Sequence, residues 1–319
     1  MKKNSYVIIF AIVIITILTI LGVAILSKNI NEANLVNKNL HYIKAFWLAE
    51  SGINSALSSL RNPSNWTIEN YNFTLLESNG YCEVNITFLD SQRRNITSTG
   101  TVENIDRTIE AIALKYQAAP PDFYTNAIYS AGVVNINGNA YSINGNVTTA
   151  YNISGSTSNI NGTININSSV NPLMHLNFEQ LKQISQTQGN YHDAGNLSGP
   201  FPTSFFYNNT TPNIVFLEGN LILRGNDKVG GFFVVGGDVE YDATLSGNVK
   251  VNGTIYTLGS ITINGGGSGL NINGGLWSGE GIRINGGVTI NYNQTYMQAI
   301  SNLNITSEVQ LENWREVLK

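Results

Sequence analysis

Ile263-Asn264-Gly265, Ile272-Asn273-Gly274 and Ile284-Asn285-Gly286 crowd into one short stretch of the chain. The same signature stands at Val251-Asn252-Gly253 and, far upstream, at Ile136-Asn137-Gly138, Ile143-Asn144-Gly145 and Ile160-Asn161-Gly162. Internal repeats decide architecture before any local propensity does. The spacing is irregular, which excludes a helical repeat or a propeller blade. One aliphatic residue followed by Asn and Gly reads as a very short strand entering a sharp corner, because Gly and Asn tolerate the left-handed backbone that corners need. A single inward Ile cannot form a core alone; stacked coils can. The pattern therefore predicts a parallel β-solenoid whose Asn side chains stack in hydrogen-bonded ladders.

Working outward, the repeats stop between Asn171 and Pro212 and resume at Ile214-Val215-Phe216-Leu217. Within the gap, Leu176 to Gln186 reads as a short helix, and an aromatic, Pro-containing loop follows through Phe205, Phe206 and Tyr207. This segment is expected to be a flap over the solenoid or a cap for its open end, since an uncapped coil leaves an aggregation-prone edge. A surface ligand site is the sharper alternative. Ala118-Ala119-Pro120-Pro121 reads as the linker that precedes the repeats.

Upstream of the linker the texture changes twice. Lys2 and Lys3 precede an uncharged apolar run from Tyr6 to Leu26, long enough as a helix to span a bilayer. Two lysines before the run favour a cytoplasmic N-terminus with the bulk of the chain exported. A cleaved signal peptide is the rival, but its apolar region runs only about 7–15 residues. Helical spacing also continues through Ile30, Val36, Leu40, Ile43, Trp47, Ile53, Leu57 and Leu60 until Pro63. One helix of about 55 residues, apolar first and amphipathic later, accounts for all of this. Glu50 lies in line with Ile43 and Leu57, where an unpaired carboxylate is costly. Arg107 is its expected partner from the sheet that follows. That sheet is read from strand-like runs between Trp66 and Tyr116, with Asn79-Gly80 as a turn signal.

Ala45-Phe46-Trp47-Leu48-Ala49-Glu50-Ser51-Gly52-Ile53 follows the hydrophobic helix. Further on come Ile96-Thr97-Ser98-Thr99-Gly100-Thr101-Val102, Arg107-Thr108-Ile109-Glu110 and the closing Trp314-Arg315-Glu316-Val317. In this order they resemble the PilX-type minor pilins of type IV pilus systems, over about the first third of the chain plus its tail. The resemblance implies a pilin-like subunit: a helix held in the cytoplasmic membrane, with Gly52 at a close-packed point, other pilins and inner-membrane pilus assembly proteins as partners, and lipid around the stem. It also places the prepilin peptidase site at Ser5-Tyr6, where Gly before an aromatic is usual. Phe10 stands where the family's glutamate would be. Both departures weigh against cleavage and against a role as the repeated filament subunit.

The expected fold class is thus an α+β pilin-like module, a long N-terminal helix plus antiparallel sheet, followed by an all-β parallel β-solenoid. The expected divisions are 1–62 for the helix, 63–118 for the sheet, 119–170 for the first solenoid part, 171–212 for the insertion, 213–296 for the main solenoid and 297–319 for a tail. The function expected is that of a minor pilin at a tip or initiation position, with a membrane-tethered adhesin as the alternative. A surface ligand or glycan is a further expected partner.

Chemistry is sparse. Charged residues make up 12 % of the chain, the net charge is −4, and no basic patch speaks for nucleic acid. His41, His175 and His192 lack metal-ligand spacing, and no phosphate-loop or nucleophile motif occurs. No cofactor is called for. The lone Cys82 reads as a small buried hydrophobe, with no partner for an internal disulfide. Asp238, Glu240 and Asp242 alternate, and on a strand would share one face near Arg224 and Lys250. That arrangement keeps a calcium site or a polysaccharide-active enzyme as the rival from another class; an outward solvated strand is the plain reading.

Overall fold

The computed structural model describes residues 3–317 except 67, 69, 78–79, 117–120, 171–172, 194–195, 199, 304 and 306–307. Residues 3–9, 63–64, 121–122 and 267–268 are described by backbone alone. Two compact units result. The first comprises Met1–Leu89, Arg93–Leu114 and Leu311–Lys319; the second comprises Asp90–Gln92 and Lys115–Gln310.

In the first unit, α1 runs unbroken over Lys3–Leu60, 58 residues or about 87 Å at 1.5 Å per residue. A single turn, α2 (Pro63–Trp66), reverses the chain. The strands β1 (Asn70–Glu77), β2 (Gly80–Phe88), β3 (Arg93–Val102) and β4 (Ile105–Tyr116) form an antiparallel meander. Between β3 and β4, Glu103 and Asn104 take left-handed backbone (φ 49° and 63°), the geometry of a tight hairpin. Gly80 opens β2 opposite Glu77, while Asn79 of the expected turn lies outside the described residues. The buried alternation of β3 follows its sequence: Ile96, Ser98 and Val102 point inward. The C-terminal strand, Glu308–Val317, joins the sheet beside β4. The expected tail is therefore structural, and the solenoid is inserted in the sequence of this sheet between its fourth and fifth strands.

The second unit is a parallel solenoid with three strand faces. Face A stacks 191–192, 214–217, 232–235, 254–257, 276–278, 128–130, 147–149 and 164–166. Face B stacks 228–231, 250–253, 271–274, 289–292, 141–144 and 160–161. Face C stacks 221–223, 243–245, 261–263, 282–284, 134–136 and 154–155. Coil order is not chain order. The last coil in sequence, Gly281–Tyr292, pairs with the first, which carries Val133–Asn137 and Tyr141–Asn144. The chain begins in the middle, winds to one end, crosses to the other and winds back. The segment expected as a flap makes that crossing. Its helix α3 (Phe178–Gln188) packs beside face A. Its loop then caps the 214–217 end, with Phe201 against Phe233 at 5.6 Å and Leu197 bridged to Leu221. The 119–170 and 213–296 divisions are thus one continuous stack. The expected linker at Ala118-Ala119-Pro120 lies outside the described residues.

The interior is a set of aliphatic ladders, such as Leu223, Leu245, Ile263, Ile284 and Ile136, fully or almost fully buried. The outer side of face A is covered too: Phe123, Phe232, Tyr256 and Trp277 are buried, and α4 (Gln294–Ser301) packs Met297 there. Burial pushes the Tyr124 hydroxyl up to about 12 and the Tyr256 hydroxyl well above its usual range. Tyr256 donates to the Met174 carbonyl at 2.6 Å. The fold thus favours the protonated phenols. Their contribution is fully present below the ordinary tyrosine value of about 10 and is lost as pH rises through the folded value. Unfolding melts should therefore show stability falling between pH 10 and about 12. Flat stability across that window would contradict the burial of these rings.

Candidate functional site

Helix α1 offers two different surfaces. From Phe10 to Leu26 its side chains are uncharged, apolar except for Thr16 and Thr19, and exposed all round; Phe10 is 66 % and Leu26 61 % exposed. Such a helix is long and apolar enough to cross a membrane, by length and composition. From Ala45 onward one side is buried: Ala45, Ala49, Gly52, Ile53, Ala56 and Leu60. Spacings of three and four place them on one stripe. The stripe faces β2 and β3.

Small residues bring the helix backbone unusually close to the sheet. A Cβ on Gly52 would lie 2.2 Å from Ser98 Oγ and 2.4 Å from Cys82 Sγ. One on Gly100 would lie 2.1 Å from the Ala45 carbonyl and 2.6 Å from the Ala49 nitrogen. Ser98 Oγ donates to the Ala49 carbonyl at 2.7 Å, and the Cys82 thiol lies 3.0 Å from the same hydroxyl. Burial raises the Cys82 pKa above the usual thiol value. The two sequence motifs, Ala49-Glu50-Ser51-Gly52 and Ser98-Thr99-Gly100, are the two sides of one contact.

The side expected to meet the sheet does so only in part: Ile53 and Leu60 are buried against it, while its earlier members are not. Ile43 and Trp47 are 55 % and 60 % exposed. Glu50, half-buried, sits on that outer side among Trp47, Ser51 and Asn54. The Glu50–Arg107 pair does not form. Arg107 lies 3.1 Å from Glu316 and stacks over the Tyr42 ring at 4.8 Å. The reason is rotational: the line of closest backbone approach runs through Ala45, Ala49 and Gly52, beside the line of Ile43, Trp47 and Glu50, and bulk returns to the buried side only at Ile53 and Leu60. A second pair, Arg315–Glu110 at 2.6 Å, also ties the C-terminal strand to β4. Ser5 and Tyr6 lie in the first turns of α1, in the segment described by backbone alone.

On the solenoid, the Ile-Asn-Gly signatures sort into two stacked columns. Asn137 donates to Asn285 and Asn285 to Asn264, both at 2.9 Å. Asn161 donates to Asn144 at 2.8 Å and Asn144 to Asn291 at 2.7 Å. A third set, buried hydroxyls at the corner between faces A and C, was not anticipated. Ser278 donates to the Gly259 carbonyl at 2.8 Å, Thr149 and Ser130 donate to the Gly132 carbonyl at 3.1 Å, and Thr257 donates to the Tyr241 carbonyl. Its signal is a Ser or Thr one or two residues before Gly, as in Ser278-Gly279 and Thr257-Leu258-Gly259.

The acidic trio does not share a strand face. Asp238, Glu240 and Asp242 occupy a loop. Asp238 accepts the Tyr116 hydroxyl at 3.0 Å and lies 3.3 Å from His175 Nδ1. Asp242 accepts from the Ser260 N–H at 2.8 Å, a corner cap, and Glu240 is exposed. Among the described residues no group of three His, Cys, Asp or Glu side chains is placed to hold a metal.

No family model and no curated protein matches the chain. Among solved structures it is similar to an ice-binding protein from an Arctic yeast, at 12 % identity and a TM-score of 0.37 over 53 % of this chain and 91 % of that one. It is also similar to an ice-binding protein from an Antarctic biological consortium (16 %, 0.36, 55 % and 91 %). A third likeness is to the competence-associated pilin ComZ from Thermus thermophilus (11 %, 0.28, 88 % and 98 %).

The helix–sheet contact is tested at its two glycines. Gly52→Ala meets side-chain atoms and should cost about 1–3 kcal/mol. Gly100→Ala meets backbone, which has nowhere to move, and should cost more than Gly52→Ala in a thermal or urea melt. Maleimide labelling of Cys82 should be slow in the native chain and faster in Gly100→Ala. Equal melts for both variants and the parent would refute the close approach.

Proposed function

We propose that the chain is a minor pilin or pilin-like component of a type IV pilus-related assembly, carrying its solenoid outside the cytoplasmic membrane. The observation that carries this reading is the division of labour along α1. One uninterrupted helix is apolar and exposed over Phe10–Leu26, then sealed along an Ala and Gly stripe by an antiparallel sheet. An anchor alone needs no such sheet, and a soluble domain needs no such apolar stem. The exposed Ile30, Val36, Leu40, Ile43 and Trp47 supply a continuous apolar side for neighbouring helices.

The role is mechanical. The stem partitions into the bilayer and packs against other pilins; the solenoid is a rigid body for display. Its bulk, inserted between β4 and the C-terminal strand, suits a tip or initiation position better than a tightly repeated one. Ser5 in place of Gly and Phe10 in place of Glu support an unprocessed N-terminus. A membrane-tethered adhesin outside any pilus is the second reading, favoured by those same departures.

Shearing surface filaments from cells that make the tagged chain decides between them. The chain should appear in the sheared fraction in small amounts relative to the main subunit, and disappear from it when the assembly ATPase is deleted. Recovery with membranes alone would replace the pilin reading by the adhesin. N-terminal sequencing should find the bond between Ser5 and Tyr6 intact. A mature chain beginning at Tyr6 would overturn the unprocessed reading.

A further inference from the structure

Helix α3 and the small hairpin Phe206–Tyr207 with Thr211–Pro212 enclose an open groove of about 610 Å3 in the second unit. Gln180, Gln183, Ile184 and Thr187 line one wall. Their spacing of three and four puts them on one helix face. Tyr207 and Thr210 stand on the other wall. Gln188 ties the walls together: its Nε2 donates to the Pro212 carbonyl at 3.0 Å, and its Oε1 accepts from the Ile214 N–H at 2.7 Å. The groove is therefore built before any ligand arrives.

Its chemistry is selective. No lining residue carries a charge. The charged residues of α3, Glu179 and Lys182, are not part of the lining, and Lys182 is held by Glu218 at 2.5 Å. The lining offers amides and hydroxyls, the Ile184 side chain and the Tyr207 ring, 40 % exposed. An anionic or cationic ligand finds no counter-charge here. A purely apolar ligand would strip water from amides without replacing their hydrogen bonds. A neutral sugar chain meets both demands: its hydroxyls pair with amides and its C–H face packs on an aromatic ring. A groove of this size holds a ligand of a few rings, within the range of about 300–1,000 Å3 for small-molecule sites.

We propose that this groove binds an uncharged oligosaccharide segment, with Tyr207 as stacking platform and Gln183 as a hydrogen-bonding side chain. The inference depends on the fold of the second unit and not on the pilin reading. The test is calorimetric titration of the detergent-solubilised full chain with cellohexaose, maltohexaose and N-acetylchitohexaose, and with an oligogalacturonate as acidic control. At least one neutral hexamer should bind with a Kd of about 1 mM or tighter. Tyr207→Ala and Gln183→Ala, on separate elements and both exposed, should each weaken it about tenfold with unchanged melting. Tyr207→Phe should keep most of the affinity. Binding by none of the neutral hexamers, binding insensitive to both alanine variants, or equal binding of the acidic oligomer would each overturn the proposal.

Discussion

The contact on which the first unit depends is the approach of α1 to β3 through two glycines. Gly52 and Gly100 remove the atoms that would hold helix and sheet apart, so Ser98 can donate to a helix carbonyl at Ala49. A main-chain carbonyl inside a helix already accepts one bond, and a second from a buried hydroxyl satisfies that hydroxyl without a charged partner. The same hydroxyl meets the Cys82 thiol, so three elements share one polar point inside an otherwise apolar seam. Ala45, Ala49 and Gly52 stand where the backbones come closest, because bulk there would separate them, and Ile53 and Leu60 fill the rest of the seam. Ile43 and Trp47 are left on the outside. Sealing one side of the stem in this way is what leaves the other side apolar and available.

The solenoid obeys a different constraint. Each coil has little interior, so each strand contributes one or two inward side chains and the rest of the residue set serves the corners. Many corners use Ile-Asn-Gly, and stacking sends their isoleucines inward and places Asn264, Asn285 and Asn137 in one column and Asn291, Asn144 and Asn161 in another. A ladder in which each amide donates to the next leaves few unmet polar groups along a nearly uncharged surface. The third corner solves its own problem with Ser and Thr hydroxyls turned onto corner carbonyls. Polar satisfaction, more than hydrophobic area, explains why so many Asn, Ser and Thr accompany so few charges.

How much of this was legible follows from those two constraints. Period and composition revealed the solenoid, the stem and the meander, because burial of Ile every coil and of every second strand residue imprints the sequence directly. The irregular repeat spacing was legible only as irregularity. It arises because Ile263 and Ile272 belong to two faces of one coil, while Ile263 and Ile284 are stacked neighbours. Coil order was not legible, since nothing in Val133–Asn144 marks it as the partner of Gly281–Tyr292 instead of the nearer Lys228–Val235. The Glu50 pairing is not found because Glu50 lies on the outer side with Trp47, Ser51 and Asn54, while Ala49 and Gly52 carry the contact. The neutral groove at Tyr207 was legible only as an interruption in the repeats, because amides spread over two elements have no sequence period.

The insertion of the solenoid within the sheet couples the two folding problems. β4 needs a neighbour, and the neighbour arrives only at Glu308–Val317, after every coil has been made. Until then β4 presents an open edge, the feature most prone to wrong pairing. Arg107 and Glu110 on that edge mitigate this, because charges of both signs disfavour a foreign apolar strand and select the Glu316 and Arg315 of the correct one. The solenoid is itself closed by pairing its last coil with its first, a contact of large sequence separation that forms late. A chain that has docked its C-terminal strand has therefore had the chance to close its solenoid first. The sheet that packs on α1 is completed by the same residues that follow the last coil, so its edge stays open until the chain has been made through Val317.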